Sequence, residues 1–315
     1  MTRVLITGGA GALGSSLAKM LVEKEYEVDV VEIIPRHSAH RLKDVDVQYF
    51  WKSCEDLTAK DLDGVDIICH CCAQPDRPLG VSSPLYTIHK NTMELAAVLE
   101  ACRKSEIKKF LYPGSGTIFL GVSPDKQPIT EETTPKPTNP YSATKYMDEI
   151  LCDAYRICYG VPTVILRSGL VYGEGMRLDI SIAQFIIKAL KGERIAVKSP
   201  GATRTPTHGE DVLKYWKAVI ELAPEEVVGE IFHSVRGKEY SIKEIAEAVV
   251  GTLGSNSEIE ELPYELGELV GGKPVRQWTV STKDQKLGVK PKIDLPEGIR
   301  RTAKWIEDEV LRRIS

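Results

Sequence analysis

Val4-Leu5-Ile6-Thr7-Gly8-Gly9-Ala10-Gly11-Ala12-Leu13-Gly14 is an apolar run that enters a glycine loop and leaves it with helical spacing. The order reads as a strand, Arg3 to Thr7, then a phosphate-binding turn, then a helix from Leu13 to Glu25. Gly8 permits the tight turn, Gly11 lets the backbone approach a pyrophosphate, and Gly14 lets the helix pack on the strand. Ala12 and Leu13 stand where the helix opens, and its unpaired N–H groups and positive end face the anion. A merely flexible turn needs no acid downstream. Here a second strand, from Val28, ends in Glu32, at the spacing of a carboxylate that accepts from ribose hydroxyls. Such a carboxylate repels a 2′-phosphate, so the site is read for NAD, and Arg36 is the nearby feature that would suit NADP.

The first half continues in the same way. Val45 to Phe50 and Val65 to Cys72 read as strands, Leu85 to Lys104 as a helix, Lys109 to Tyr112 as a strand, Tyr141 to Tyr159 as a helix and Val161 to Arg167 as a strand. Strands alternating with helices imply a parallel sheet wound with right-handed crossovers. From Gly169 the alternation weakens, with helices predicted over 180–191, 211–222, 241–253 and 296–314. Ser241 and Glu244 have capping-box spacing, which supports the third. The expected fold is α/β, a doubly wound parallel sheet (Rossmann) with a smaller mixed C-terminal substrate region. Residues 1–168 form the NAD-binding domain and 169–315 mainly bind substrate, some of their segments returning to the first domain. Ligands of such sheets lie at the carboxyl ends of the strands, so the substrate is expected in the cleft between the two regions.

Composition excludes several classes. A formal net charge of −4 offers no basic surface for nucleic acid. The chain enters its first strand almost at once, and no apolar stretch is long enough for a bilayer, so a cytoplasmic protein without a membrane partner is expected. The seven cysteines, odd in number and all in the first half, suit a reducing compartment better than a disulfide framework. Cys69-His70-Cys71-Cys72 has ligand-type residues, yet it lies within the strand-like run Val65 to Ala73 and no second ligand cluster follows. No metal site is expected.

Tyr141-Ser142-Ala143-Thr144-Lys145 puts a phenol and an ammonium four residues apart, on one helix face. The ammonium favours phenolate, so Tyr141 can take a proton from a substrate hydroxyl while hydride leaves the carbon, or return it. Lys145 can also bind nicotinamide ribose hydroxyls. Tyr86 and Lys90 repeat the spacing, but only Tyr141 follows a strand ending in Pro113-Gly114-Ser115-Gly116-Thr117, which can set Ser115 and Thr117 beside the cofactor.

Taken together, these pieces resemble an extended short-chain dehydrogenase/reductase of the NAD-dependent epimerase/dehydratase family, over nearly the whole chain. Those that match are Thr7 through Gly14, His70-Cys71-Cys72-Ala73-Gln74 where the family usually has His-Leu-Ala-Ala, Asn91, Ser115 through Phe119, and Pro140 through Lys145 with Glu149. Arg167 through Gly173, Arg204 before His208 and Asp211-Val212, and Lys286 through Pro291 follow in order. The resemblance implies Tyr141 as acid/base with Lys145 as its partner, and Ser115 or Thr117 on the reacting hydroxyl. It implies Cys71, Cys72, Ala73 and Asn91 at the cofactor, and a homodimer through the helices containing Asn91 and Tyr141.

The departures bear on the substrate. The family's Gly-Asp pair near the adenine falls at Trp51-Lys52, and Gly116-Thr117 replaces the Asp-Glu pair of the 4,6-dehydratases. Leu170 stands where nucleotide-sugar epimerases carry Asn. Of two arginines on the diphosphate Arg204 matches one, while the second falls near Val270, with Arg276 a loose substitute. The leading expectation is NAD-dependent epimerisation of a nucleotide sugar, with Arg204 and Leu170 at the substrate and the loops Gln74 to Pro84 and Gly173 to Asp179 shaping it. The alternatives are a dehydrogenase or reductase of a non-nucleotide alcohol or ketone, and a non-catalytic dinucleotide sensor.

Overall fold

The computed structural model describes residues 1–265 and 268–310. Its central strand is β1 (Arg3–Thr7), in which Val4, Leu5 and Ile6 are all buried, as a strand covered on both faces requires. It pairs in parallel with β2 (Glu27–Glu32) on one side and β4 (Ile67–His70) on the other. β3 (Gln48–Trp51) continues beyond β2, and β5 (Lys109–Ser115) and β6 (Thr163–Ser168) lie beyond β4. The strand Ile231–Ser234 closes the far edge of this seven-stranded sheet. The winding direction reverses between β1 and β4, and their carboxyl ends flank the crevice where doubly wound sheets take ligands.

The chain forms two compact units. The first comprises 1–118, 137–167 and 216–232, with a core in which Leu5, Ile68, Leu95, Leu99, Phe110 and Ile165 meet. The second comprises 119–136, 168–215 and 233–315 and packs Tyr172, Phe185, Ile195, Ile245 and Ile299 with their neighbours. It carries short two-stranded pairings, among them Leu170–Tyr172 with Pro206–His208 and Thr203–Arg204 with Tyr240–Ser241.

Local chemistry sets the helix limits. α1 (Ala12–Val22) stops short of the expected Glu25, whose φ of 61° is left-handed. β3 and β4 are shorter than their apolar runs, because pairing, not hydrophobicity, ends a strand. The segment read as the loop 74–84 holds a helix, α2 (Arg77–Ser82), started by Asp76, whose carboxylate accepts from the Leu79 N–H at 3.0 Å. The single helix expected over 85–104 is α3 (Pro84–Ile88), a π-turn at His89–Met93 and α4 (Glu94–Cys102). α5 (Pro140–Tyr159) gains its first residue from Pro140, after an Asn139 cap bonded to the Ser142 N–H, and ends at left-handed Gly160.

Ser241 and Glu244 form the expected capping box before the helix Ile242–Leu253. The last helix runs Leu295–Trp305 with a π-turn to Val310, and residues 311–314 of its expected span lie outside the described residues. No helix among the described residues is long and apolar enough to cross a membrane, and all seven cysteines are free.

Candidate functional site

The glycine loop is shaped from beneath. Gly8 sits at φ 66°, and a Cβ there would come within 2.7 Å of the Cys72 backbone nitrogen at the end of β4. A Cβ on Gly14 would lie 2.4 Å from the Gly8 carbonyl, so the first turn of α1 rests directly on the loop. Gly9, which the sequence reading passed over, faces Val30 at 2.5 Å on the same test. Gly11 meets only the Gly8 carbonyl, leaving its other side open. α1 begins without a side-chain cap and with no acid in its first turn. The N–H groups around Ala12 and Leu13 therefore suit an anion. These features fit the pyrophosphate of a dinucleotide.

Glu32 is fixed at the edge of this loop. One carboxylate oxygen accepts from the Ala10 N–H at 3.1 Å and the other from the Ile33 N–H at 2.8 Å. Arg36 instead donates to the Val45 carbonyl at 2.9 Å and lies over the Tyr49 ring. The two NAD/NADP indicators thus differ in place: the acid is at the loop, and the cation is engaged with its own neighbours.

At the end of β4, Cys71 N–H donates to the Thr7 carbonyl, Cys72 Sγ to Glu94, and Ala73 is half-buried. Asn91 is 2% exposed and has both ends of its amide engaged: Oδ1 accepts from the Gln74 N–H at 2.7 Å, and Nδ2 donates to Thr144 Oγ1 at 2.9 Å. It ties the end of the fourth strand to α5, which makes it a positioning group. The π-turn around it also lets Thr92 donate to Asp148 at 2.7 Å.

Tyr141 and Lys145 occupy one face of α5. Tyr141 is half-buried and packs on α2, where a Cβ at Gly80 would meet its own Cβ at 2.8 Å. Lys145 is 4% exposed, its Nζ 4.3 Å from the centre of the Tyr112 ring. Burial lowers its pKa, while Asp148 and Glu149 act in the opposite direction. Asp148 accepts from Tyr112 Oη at 2.6 Å, and Glu149 is held by Arg167 at 2.8 Å. His70, its Nδ1 2.9 Å from Thr7 Oγ1, has its pKa lowered to about 3 by burial and by Lys145, so it is neutral, and it lies near-parallel to the rings of Phe110 and Tyr112. Ser115 Oγ and Thr117 Oγ1 lie 2.9 Å apart, a hydroxyl pair at the end of β5. Tyr112, Asp148 and the Glu149–Arg167 pair carry this geometry; Glu149 and Arg167 stand among the residues of the family resemblance, whereas no short motif names Tyr112 or Asp148.

In the second unit the substrate candidates are committed to protein partners. Arg204 holds both oxygens of Glu268, at 2.6 and 2.7 Å, and donates to the Thr203 carbonyl. Arg276 forms a matching pair with Glu239, both contacts at 2.8 Å. Each guanidinium already has a carboxylate partner, Arg204 buried and Arg276 40% exposed. Leu170 packs, half-buried, against the unit's apolar core. The loop at 173–179 is anchored through Glu174, which contacts His208 at 2.8 Å and Arg301 at 2.8 Å.

The family described as "NAD dependent epimerase/dehydratase family" matches residues 4–233. A Methanocaldococcus jannaschii protein, provisionally designated a UDP-glucose 4-epimerase, is 30% identical over 97% of this chain and 98% of its own. The human dTDP-D-glucose 4,6-dehydratase is 25% identical over 97% of this chain and 90% of its own. The crystal structure of the Thermus thermophilus UDP-glucose 4-epimerase in complex with NAD is similar at a TM-score of 0.83 and 25% identity, covering 98% of this chain and 100% of that one.

Proposed function

Because this chain belongs to the NAD-dependent epimerase/dehydratase family, we propose that it is an NAD-dependent epimerase of a nucleotide sugar. The observation that carries the catalytic part is the buried Lys145 one helical turn below Tyr141, with the Ser115–Thr117 hydroxyl pair in the same unit. The glycine loop, the opening of α1 and Glu32 would hold NAD, which would supply hydride acceptance and return at the sugar carbon. Tyr141 takes the proton of the reacting hydroxyl and gives it back. Lys145 stabilises the phenolate, and Ser115 or Thr117 orients the hydroxyl. Asn91, Asp148 and Tyr112 keep α5 and Lys145 in place.

One observation favours a second reading, a dehydrogenase or reductase of a non-nucleotide alcohol or ketone: both diphosphate candidates, Arg204 and Arg276, are already paired with carboxylates. Thermal shift of the NAD-loaded protein against UDP, GDP, dTDP and CDP separates the two. For a nucleotide-sugar enzyme, one nucleotide at a hundred times its Kd should raise Tm by roughly 5 °C, an effect lost in Arg204→Ala. Stabilisation by NAD but by no nucleotide would transfer the assignment to the non-nucleotide reading.

The exposed apolar residues support a homodimer. Leu85 is 81% exposed beside Tyr86 and Met93 along α3 and its π-turn, and Ile150 is 53% exposed beside Met147 on α5. Leu85→Glu with Ile150→Glu should give a monomer in light scattering, and an unchanged dimer mass would place the interface elsewhere.

A further inference from the structure

Cys54, on the short turn after β3, Cys72, after β4, and Glu94, at the start of α4, converge in the first unit. Their ligand atoms all lie within 4.8 Å of one another. Cys72 Sγ donates to Glu94 Oε2 at 3.1 Å, and Lys90 holds the other carboxylate oxygen. Glu94 belongs to a second such group with His89 and Glu55, again within 4.8 Å, and the last two approach to 3.3 Å. Cys54 and Glu94 are buried, whereas His89 and Glu55 reach solvent. The cysteine-bearing group is therefore the enclosed one, and Glu94 joins it to the exposed pair. The expectation of no metal rested on the Cys69–Cys72 run, and the completing cysteine comes from the turn after β3.

We propose that Cys54 Sγ, Cys72 Sγ and one Glu94 oxygen bind a zinc ion, with water as the fourth donor. Two sulfurs and a carboxylate oxygen with a water in the fourth position make a tetrahedral zinc donor set, in which neighbouring sulfurs stand about 3.8 Å apart. The charges balance. Zinc displaces the two thiol protons to solvent, and the ion with two thiolates and one carboxylate sums to −1. Lys90 supplies the compensating positive charge and leaves Glu94 one oxygen for the ion. The backbone of Cys72 abuts Gly8, so the ion would stiffen the floor of the glycine loop without touching a dinucleotide.

The test uses the full chain, stripped with a chelator and titrated with zinc against a chromogenic competitor, then with cobalt(II). One zinc ion should bind per chain with release of two protons, and cobalt should give a thiolate charge-transfer band. Cys54→Ser and Cys72→Ser should each abolish that band, while Cys158→Ser, an exposed thiol, should keep it. Since a buried cysteine variant could fail to fold, the wild-type titration carries the test by itself through its stoichiometry and the two protons released. Absence of the band or of proton release in the wild-type protein, or survival of the band in either serine variant, would overturn the assignment. None of these readouts depends on the epimerase reading.

Discussion

Tyr141→Phe is expected to lower turnover by about 10²- to 10⁴-fold, the usual contribution of a positioned acid/base, while leaving dinucleotide affinity within about twofold. The substitution removes one oxygen and keeps the ring. The Cβ that packs against Gly80 stays, as do the Asn139 cap, the buried Lys145 and the Asn91–Thr144 bond, so α5 should hold its position. Calorimetric titration with NAD reports the binding half, and single-turnover kinetics with the sugar nucleotide report the chemical half. Loss of both would mean that the helix had moved. Unchanged turnover would withdraw the acid/base role from Tyr141, whatever the fate of the substrate assignment.

The second large effect is on stability. Arg167 on β6 and Glu149 on α5 are joined through Nε and Nη2, with contacts of 2.8 to 3.1 Å, and their side chains are 4% and 3% exposed. Burial raises the Glu149 pKa, and Arg167 pulls it back. Gly114 on β5 provides the space: a Cβ there would come within 2.7 Å of Glu149 Oε1 and 2.8 Å of Arg167 Cγ. Glu149→Ala removes the carboxylate from a buried guanidinium and should cost about 3–5 kcal/mol. A chemical-denaturation midpoint with an unchanged m-value measures that cost. Replacing both partners by apolar residues should restore much of the loss, since the penalty comes from the unpaired charge. A loss below about 1 kcal/mol in the single variant would show that another group already compensates Arg167.

What the sequence disclosed depended on the range of the interaction. β1 runs over the residues predicted for it, because an apolar run next to a glycine turn is a local signal. The same holds for the capping box at Ser241 and for the Tyr141–Lys145 face of α5. The helix α2 was hidden because Pro78 and Gly80 suggest a loop, although Pro at an opening turn and glycine under Tyr141 both serve the helix. The π-turn that carries Asn91 has the apolar spacing of an ordinary helix. Partners distant along the chain were not legible at all. Arg204 has the position of a phosphate ligand, and nothing near it announces Glu268; Cys72 gives no hint of Cys54.

The first unit is also discontinuous in a way that bears on the order in which it is made. Its sheet ends in Ile231–Ser234, and the N–H of Ile165 on β6 donates to the Glu230 carbonyl at 3.1 Å. Lys109, at the start of β5, likewise donates to the carbonyls of Val219 and Leu222 at the end of the helix Gly209–Glu221. A nascent chain that has emerged only to residue 168 therefore shows β6 as a bare edge and a buried lysine without its acceptors, and an unpaired edge recruits other strands. A fragment cut there should aggregate, whereas one extended through residue 234 supplies both missing contacts. The first unit is thus finished late in synthesis, after the 168–215 segment of the second has been made.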